Sequence, residues 1–349
     1  METSSAAPAL RPLRIGELLD RAIRLYRDDF LTLVGIVAVV YVPLTILQIL
    51  ASALFSTSIV RSTPDRLFTN ASTWIAMSFT VVLFVLQFIL VQGIAMGALA
   101  RAVADNNLGK KTGIVDAYRG IGGSWVSLLG ALLFIIVVIL GIILWGIVPC
   151  IGTVTALGML FYMVAVVNQL VPPVVVLEDQ TATGSVRRAW SLARRRFWPV
   201  LGYAFLLGLF SLVVVNGPAA IANIILTQAF QSIGDVSMYL TVAPIVQGLI
   251  TLVFALLYYP LQMTAFTLVY FDLRIRTEGF DIALQTMQAE GTTDVSDAVA
   301  ISAPVATERL FTWPDLGNFA ILTLVGLGVY ILFSTVLIGG LFFFSSLFN

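Results

Sequence analysis

The sequence predicts an all-α integral membrane protein: a six-span core of three repeated units, each an interfacial amphipathic helix followed by a helical hairpin, and then one C-terminal span. Three observations predict it. Of 349 residues, 59% are hydrophobic and only 11% charged, against roughly half and a quarter in soluble domains. A chain so apolar could not cover a water-facing surface. Seven apolar runs approach or exceed the roughly 20 residues that a membrane helix needs. One short pattern of small and aromatic residues also occurs three times, each copy just ahead of a pair of spans.

The first unit opens after a tail, residues 1–14, that lacks the apolar core of a secretory signal, so the first span is expected to serve as the insertion signal. "IGELLDRAIRLYRDDFLTLVG", residues 15–35, carries Ile15, Leu18, Leu19, Ala22, Ile23, Tyr26 and Phe30 at intervals of three and four. That spacing makes one apolar helical stripe. Glu17 with Arg21, Asp20 with Arg24, and Arg24 with Asp28 stand four apart on the polar side, the spacing of helical ion pairs. Spans follow near 31–55 and 75–101.

The second unit starts near residue 113. In "GIVDAYRGIGGSWVSLLG", Ala117, Trp125, Leu128 and Gly130 take the places of Ala22, Phe30, Leu33 and Gly35. Its spans fall near 126–148 and 151–177, joined by "VPCIG", where Cys150 reads as a small residue in a tight turn. The third unit starts near 183. There Ala189, Leu192, Arg194, Phe197 and Gly202 match Ala22, Leu25, Arg27, Phe30 and Gly35. All three stripes are expected to lie in the membrane interface with their aromatics at headgroup depth. The fifth span, 198–215, is expected to close at Asn216–Gly217–Pro218, a helix breaker. The stretch 219–233 then reads as interfacial or re-entrant. The sixth span, 239–271, contains Pro244 and Pro260 and is expected to tilt or kink. The core ends near 285. Residues 286–316 are polar and acidic and read as a flexible cytoplasmic linker. A seventh span, 317–346, completes the domain 317–349.

Charge orients the chain. Arginine collects on the cytoplasmic flanks of membrane helices. With the three amphipathic helices inside, only Arg61 and Arg66 of the 19 Lys and Arg fall outside. The N-terminus is then cytoplasmic and the C-terminus outside.

One cysteine and no histidine exclude an intrachain disulfide, a His/Cys zinc site and a histidine base. No acidic or basic residue falls mid-span apart from Arg101 at a span end. No catalytic residue, metal ligand or cofactor is assigned. Nothing points to nucleic acid. The polar residues left inside the bundle are amides, chiefly Gln92, Gln169 and Gln262, read as interhelical glue or as the lining of a path. Gly93 and Gly97 form a GxxxG pair suited to close helix packing. The basic cluster Arg187, Arg188, Arg194, Arg195 and Arg196 reads either as a topological anchor or as a surface for anionic lipid headgroups. Trp190 and Trp198 would pack on the lipid glycerol region, and Arg24 and Arg27 would extend the patch.

"LRPLRIGELLDRAIRLYRDDF", "VVVLEDQTATGSVRRAWSLARRRFWPVLG" and "LVYFDLRIRTEGFDIAL" resemble a bacterial family of multispan proteins. It is named for the membrane domain attached to some glycerophosphoryl diester phosphodiesterases. The resemblance spans roughly residues 10–285 and implies a home in the bacterial plasma membrane. In such enzymes catalysis belongs to a separate soluble barrel with histidines and metal-binding carboxylates, which this chain has no room for. The resemblance therefore implies the membrane domain alone, without assigned site residues. Three function classes stay open: a non-enzymatic scaffold or accessory subunit with a protein partner and anionic lipids, a transporter or lipid-handling permease, and a membrane-associated protein of phospholipid metabolism.

Overall fold

The computed structural model describes residues 12–61, 71–107, 111–233, 236–289 and 312–347. Every described element is helical, and seven helices are long and apolar enough to cross a membrane. In chain order, α1 is Ile15–Asp28 and α2 is Phe30–Arg61. α3 joins Ala71–Ile89, a π-helical segment Leu90–Ala95 and Met96–Asn107. α4 is Ile114–Gly120 and α5 is Trp125–Trp145. α6 joins Ile151–Tyr162, the π segment Met163–Val167 and Asn168–Glu178. α7 is Ala182–Arg195. α8 joins Phe197–Ser211, the π segment Leu212–Asn216 and Gly217–Ile233. α9 is Val236–Glu278, α10 Phe280–Ala289 and α11 Trp313–Leu347.

Two expected boundaries change. The fifth span does not close at Asn216–Gly217–Pro218: α8 runs through it, and 219–233 continues the same apolar helix instead of lying re-entrant or interfacial. A proline removes one backbone donor. The π segment ending at Asn216 shifts the bonding register just there, so Pro218 sits in the first turn of a resumed α-helix, where a missing N–H is tolerated. Second, the stretch 286–316 is helical at both ends, through Ala289 and from Trp313; residues 290–311 lie outside the described part, as do 1–11 and Arg66. α9 contains Pro244 and Pro260 within one helix.

The short helices α1 and α7 join their spans through a single non-helical residue. Asp29 (φ −119°, ψ 28°) separates α1 from α2, and Arg196 (φ −133°, ψ 51°) separates α7 from α8. α4 reaches α5 through Gly122, whose positive φ of 52° turns the chain. All three motif alanines, Ala22, Ala117 and Ala189, are fully buried, because each short helix lies against a span of another hairpin. α4 packs on α2 and α3, α7 packs on α5 and α6, and α1 packs on α9. Tyr118 of α4 donates to the Ile36 carbonyl (2.6 Å), and Tyr26 of α1 donates to the Leu257 carbonyl (2.9 Å). A Cβ on Gly35 would lie 2.6 Å from Ile114 at the start of α4, and one on Gly130 would lie 2.8 Å from Ala182 at the start of α7. Gly202 has nothing within 4 Å.

Gly93 and Gly97 serve as the expected packing pair: Cβ atoms there would meet Leu132 and Leu128 of α5 at 3.0 and 2.8 Å. α5 buries Leu128, Ala131, Leu132 and Ile135 on one side. Leu133, Val137, Leu140 and Leu144 stand exposed on another, an apolar stripe suited to lipid. α11 is docked, not loosely appended. Its Phe319 carbonyl crosses Gly158 of α6 where a Cβ would collide, and the Gly158 N–H donates to Thr323 Oγ1 (2.8 Å).

Candidate functional site

Charged side chains from many of the span ends and short helices meet at one end of the bundle. The contacts among them say so: Asn106 donates to Asp29 (2.9 Å), Ser124 to Asp179 (3.3 Å), the Leu13 N–H to Asp272 (2.9 Å) and Arg194 to Asp315 (3.3 Å). Span ends and short helices therefore share one charged layer.

At its centre is a buried cluster. Glu178 ends α6. Asp179 then takes a left-handed conformation (φ 47°), and Thr181 caps α7 by accepting from the Gly184 N–H. This tight reversal brings Arg188 of α7 back over Glu178. Arg188 Nε donates to Glu178 Oε2 at 2.9 Å, and its Nη2 donates to Glu278 Oε2 at 2.7 Å. Arg274 Nε donates to the same Glu278 oxygen at 3.2 Å. Tyr270 links the halves: its hydroxyl donates to Glu178 Oε1 at 2.9 Å and accepts from Arg274 Nη1 at 3.0 Å. Gly279 (φ 65°) turns the chain from α9 into α10, so that Phe280 stacks over the Arg274 guanidinium at 4.5 Å. Arg188 is 3% exposed and Arg274 fully buried.

Two arginines and two glutamates leave this cluster formally neutral. Neutrality is what its burial demands, since an unpaired ion away from water costs several kcal/mol or more. Burial alone would lower the Arg188 pKa. Hydrogen bonds and charge from Glu278 and Glu178 outweigh it and hold the guanidinium above its ordinary value.

The expected lipid contacts divide accordingly. Arg24, Arg27, Arg187 and Arg195 are exposed. Arg194 is half-buried against Asp315 of α11, and Arg196 is half-buried at the start of α8. Arg188 is not on this surface, because its side chain is committed to Glu178 and Glu278. Trp190 is not there either. It lies buried among Tyr162 and Phe319, at centroid distances of 5.9 and 5.8 Å. Phe197, expected at headgroup depth, is stacked on Tyr162 at 4.2 Å and 8°. Tyr162 of α6 and Phe319 of α11 together cover Trp190 and Phe197, so this side of α7 faces the interior. Trp198 and Trp125 are exposed as expected.

Gln92, Gln169 and Gln262 are each half-buried, and none bonds another. Gln92 lies within the π segment of α3. Asn168, just after that of α6, is buried with its Oδ1 unpartnered. Among the described residues no group of three acidic, histidine or cysteine side chains is placed to hold a metal ion.

The sequence reading missed Glu178, Tyr270, Arg274 and Glu278. A signal was present: Tyr270, Arg274 and Glu278 recur every four residues and so share one helix face. Compared with known proteins, the chain matches no family model, no curated protein and no solved structure.

Proposed function

We propose that the chain is a non-enzymatic membrane scaffold whose basic end holds anionic lipid headgroups and presents a surface to a protein partner. The observation that carries this reading is the division of charge. Ionic groups buried at the bundle end neutralise one another, while Arg24 and Arg27 on α1 and Arg187 and Arg195 on α7 stand exposed. Each basic residue near an anionic membrane surface contributes about 1 kcal/mol. The three-unit organisation is part of the proposal. It is supported by the burial of Ala22, Ala117 and Ala189 and by the position of each short helix ahead of its span. The basic end is the cytoplasmic one by the same charge argument.

The test is a variant in which Arg24, Arg27, Arg187 and Arg195 are changed to Gln. Purified from bacterial membranes, it should retain well under half of the phosphatidylglycerol and cardiolipin that the parent chain retains. Equal retention in a normally inserted variant would overturn the lipid reading. A second reading, a permease, draws on one observation: π segments beside Gln92 and the unpartnered Asn168, since π-bulges often mark functional positions. Solute flux through reconstituted vesicles that disappears in Asn168→Leu would favour it.

A further inference from the structure

The three short helices are not seated alike. α4 and α7 close tightly on their neighbours at Gly35 and Gly130. Where the start of α1 meets α8 and α9, a cleft of about 340 Å³ is left instead. Its upper wall carries Arg14, Arg196 and Arg276, and its lower wall is apolar, with Leu18, Val200 and Val269 among its lining. Seven residues separate Arg196 from Tyr203 on α8, and Arg276 from Val269 on α9. Both walls therefore descend about 10 Å at 1.5 Å per residue.

Tyr203 lines the cleft. It is 2% exposed, and its hydroxyl has no hydrogen-bond partner. A buried hydroxyl without a partner costs roughly 1–3 kcal/mol, a cost that a ligand atom in the cleft would relieve. Asp272 is the one acidic group in the lining. It is already engaged, accepting from Arg276 Nε (2.8 Å) and from the Leu13 N–H (2.9 Å). Arg276 also donates to the Leu13 carbonyl (2.5 Å). Arg196 has no acidic partner among the described residues. The starts of α1 and α8 both border the cleft and add the positive ends of two helix dipoles.

We propose that this cleft is a binding site for a phosphate ester. The phosphate would lie between Arg14 and Arg196, a polar group of the ligand would meet the Tyr203 hydroxyl, and an apolar portion would run along Leu18 and Val269. The volume lies within the roughly 300–1,000 Å³ of small-molecule sites, more room than a bare phosphate needs, and the walls are amphipathic. A glycerophospholipid headgroup with the beginning of its acyl chains has this chemistry, and so does a free phosphate in the upper half alone. The site rests on the lipid reading above and deepens it, but it uses none of Arg24, Arg27, Arg187 and Arg195.

The test uses the full chain in detergent micelles, titrated with dioctanoylphosphatidylglycerol and separately with inorganic phosphate and glycerol phosphate, with the rise in unfolding temperature as readout. The expected result is saturable stabilisation whose half-saturation concentration rises about tenfold in Arg196→Gln and several-fold in Tyr203→Phe. It should stay unchanged in the control Arg119→Gln, on the exposed face of α4. Tyr203→Phe keeps the shape of the core, and its ligand-free melting shows that it folds. Saturation by the lipid alone assigns the site to a headgroup, and saturation by phosphate at the same concentration assigns it to a free phosphate ester. Absence of saturable stabilisation, or equal half-saturation in Arg196→Gln and the parent, would overturn the proposal. If the cleft variants bind normally while the exposed-arginine variant loses its co-purified lipid, the cleft fails and the basic-end reading stands.

Discussion

Arg188 Nε and Glu178 Oε2 stand 2.9 Å apart with both side chains removed from solvent, although Arg187, the next residue, is exposed. Adjacent residues on a helix point about 100° apart, as 3.6 residues complete a turn. Two identical side chains therefore have opposite roles.

That difference is measurable. Arg188→Gln leaves Glu178 and Glu278 with one arginine between them and should destabilise the fold by about 3–5 kcal/mol. Arg187→Gln should change stability by less than about 0.5 kcal/mol. Arg188→Lys should fall between them, because an ammonium cannot fork across two carboxylates. Thermal unfolding in one detergent checks all three, and equal melting of the two Gln variants would refute the assignment.

Tyr118 supplies a pH dependence. Burial raises its pKa from 10.0 to about 12, and the neutral phenol is the form that donates to Ile36. Its contribution is complete below about pH 10, the unfolded value, and is lost as pH rises through about 12. The unfolding temperature of the parent chain should fall more steeply across this window than that of Tyr118→Phe. Parallel curves would show that the hydroxyl does not anchor α4.

The α6–α11 contact can be separated by a single side chain. Gly158→Leu would place atoms where the Phe319 carbonyl lies. Cysteines replacing Met159 and Leu316, which line one small groove, should cross-link with a short bifunctional thiol reagent in a Cys150→Ser background. The yield should collapse when Gly158→Leu is added. Phe319→Ala, which empties a fully buried site, should cost about 3–5 kcal/mol.

Orientation has a direct readout as well. Native Cys150 is exposed in the α5–α6 turn, at the opposite end from the charged layer. An impermeant thiol reagent applied to intact cells should label it. A cysteine at the exposed Thr183, with Cys150→Ser, should react only after permeabilisation. The reverse pattern would invert the topology.

What could be read in the sequence followed from local physics. Apolar run length located seven spans because a membrane helix must satisfy its backbone internally. Ala22, Ala117 and Ala189 were legible as one recurring small position, but their burial against other hairpins was not, because the stripes were read as facing the membrane interface. The pairing of Arg188 with Glu278 was not, since the two are 90 residues apart and an arginine row reads alike whether it faces water or carboxylates. The burial of Trp190 and Phe197 was hidden for the same reason: the rings that cover them, Tyr162 and Phe319, belong to α6 and α11. At Asn216–Gly217–Pro218 a local rule misled, because a π segment gave the proline a helix start inside a continuing helix.

The seat of α1 also sets an order of events. α4 settles on a hairpin that has already been made, whereas α7 finds α5 and α6 in place but waits for Glu278. α1 emerges first, yet Tyr26 must wait for Leu257, 231 residues downstream. At about 5–20 residues per second, the first helix to leave the ribosome stays unseated for roughly 10–50 s. Its amphipathic stripe gives it somewhere to lie in the meantime: on the membrane surface, held by apolar contact until the last hairpin arrives. Chains halted before residue 257 should therefore expose α1 to protease from the ribosome side, and complete chains should protect it. The oldest helix is thus seated late, and its seat is the one bordered by the cleft.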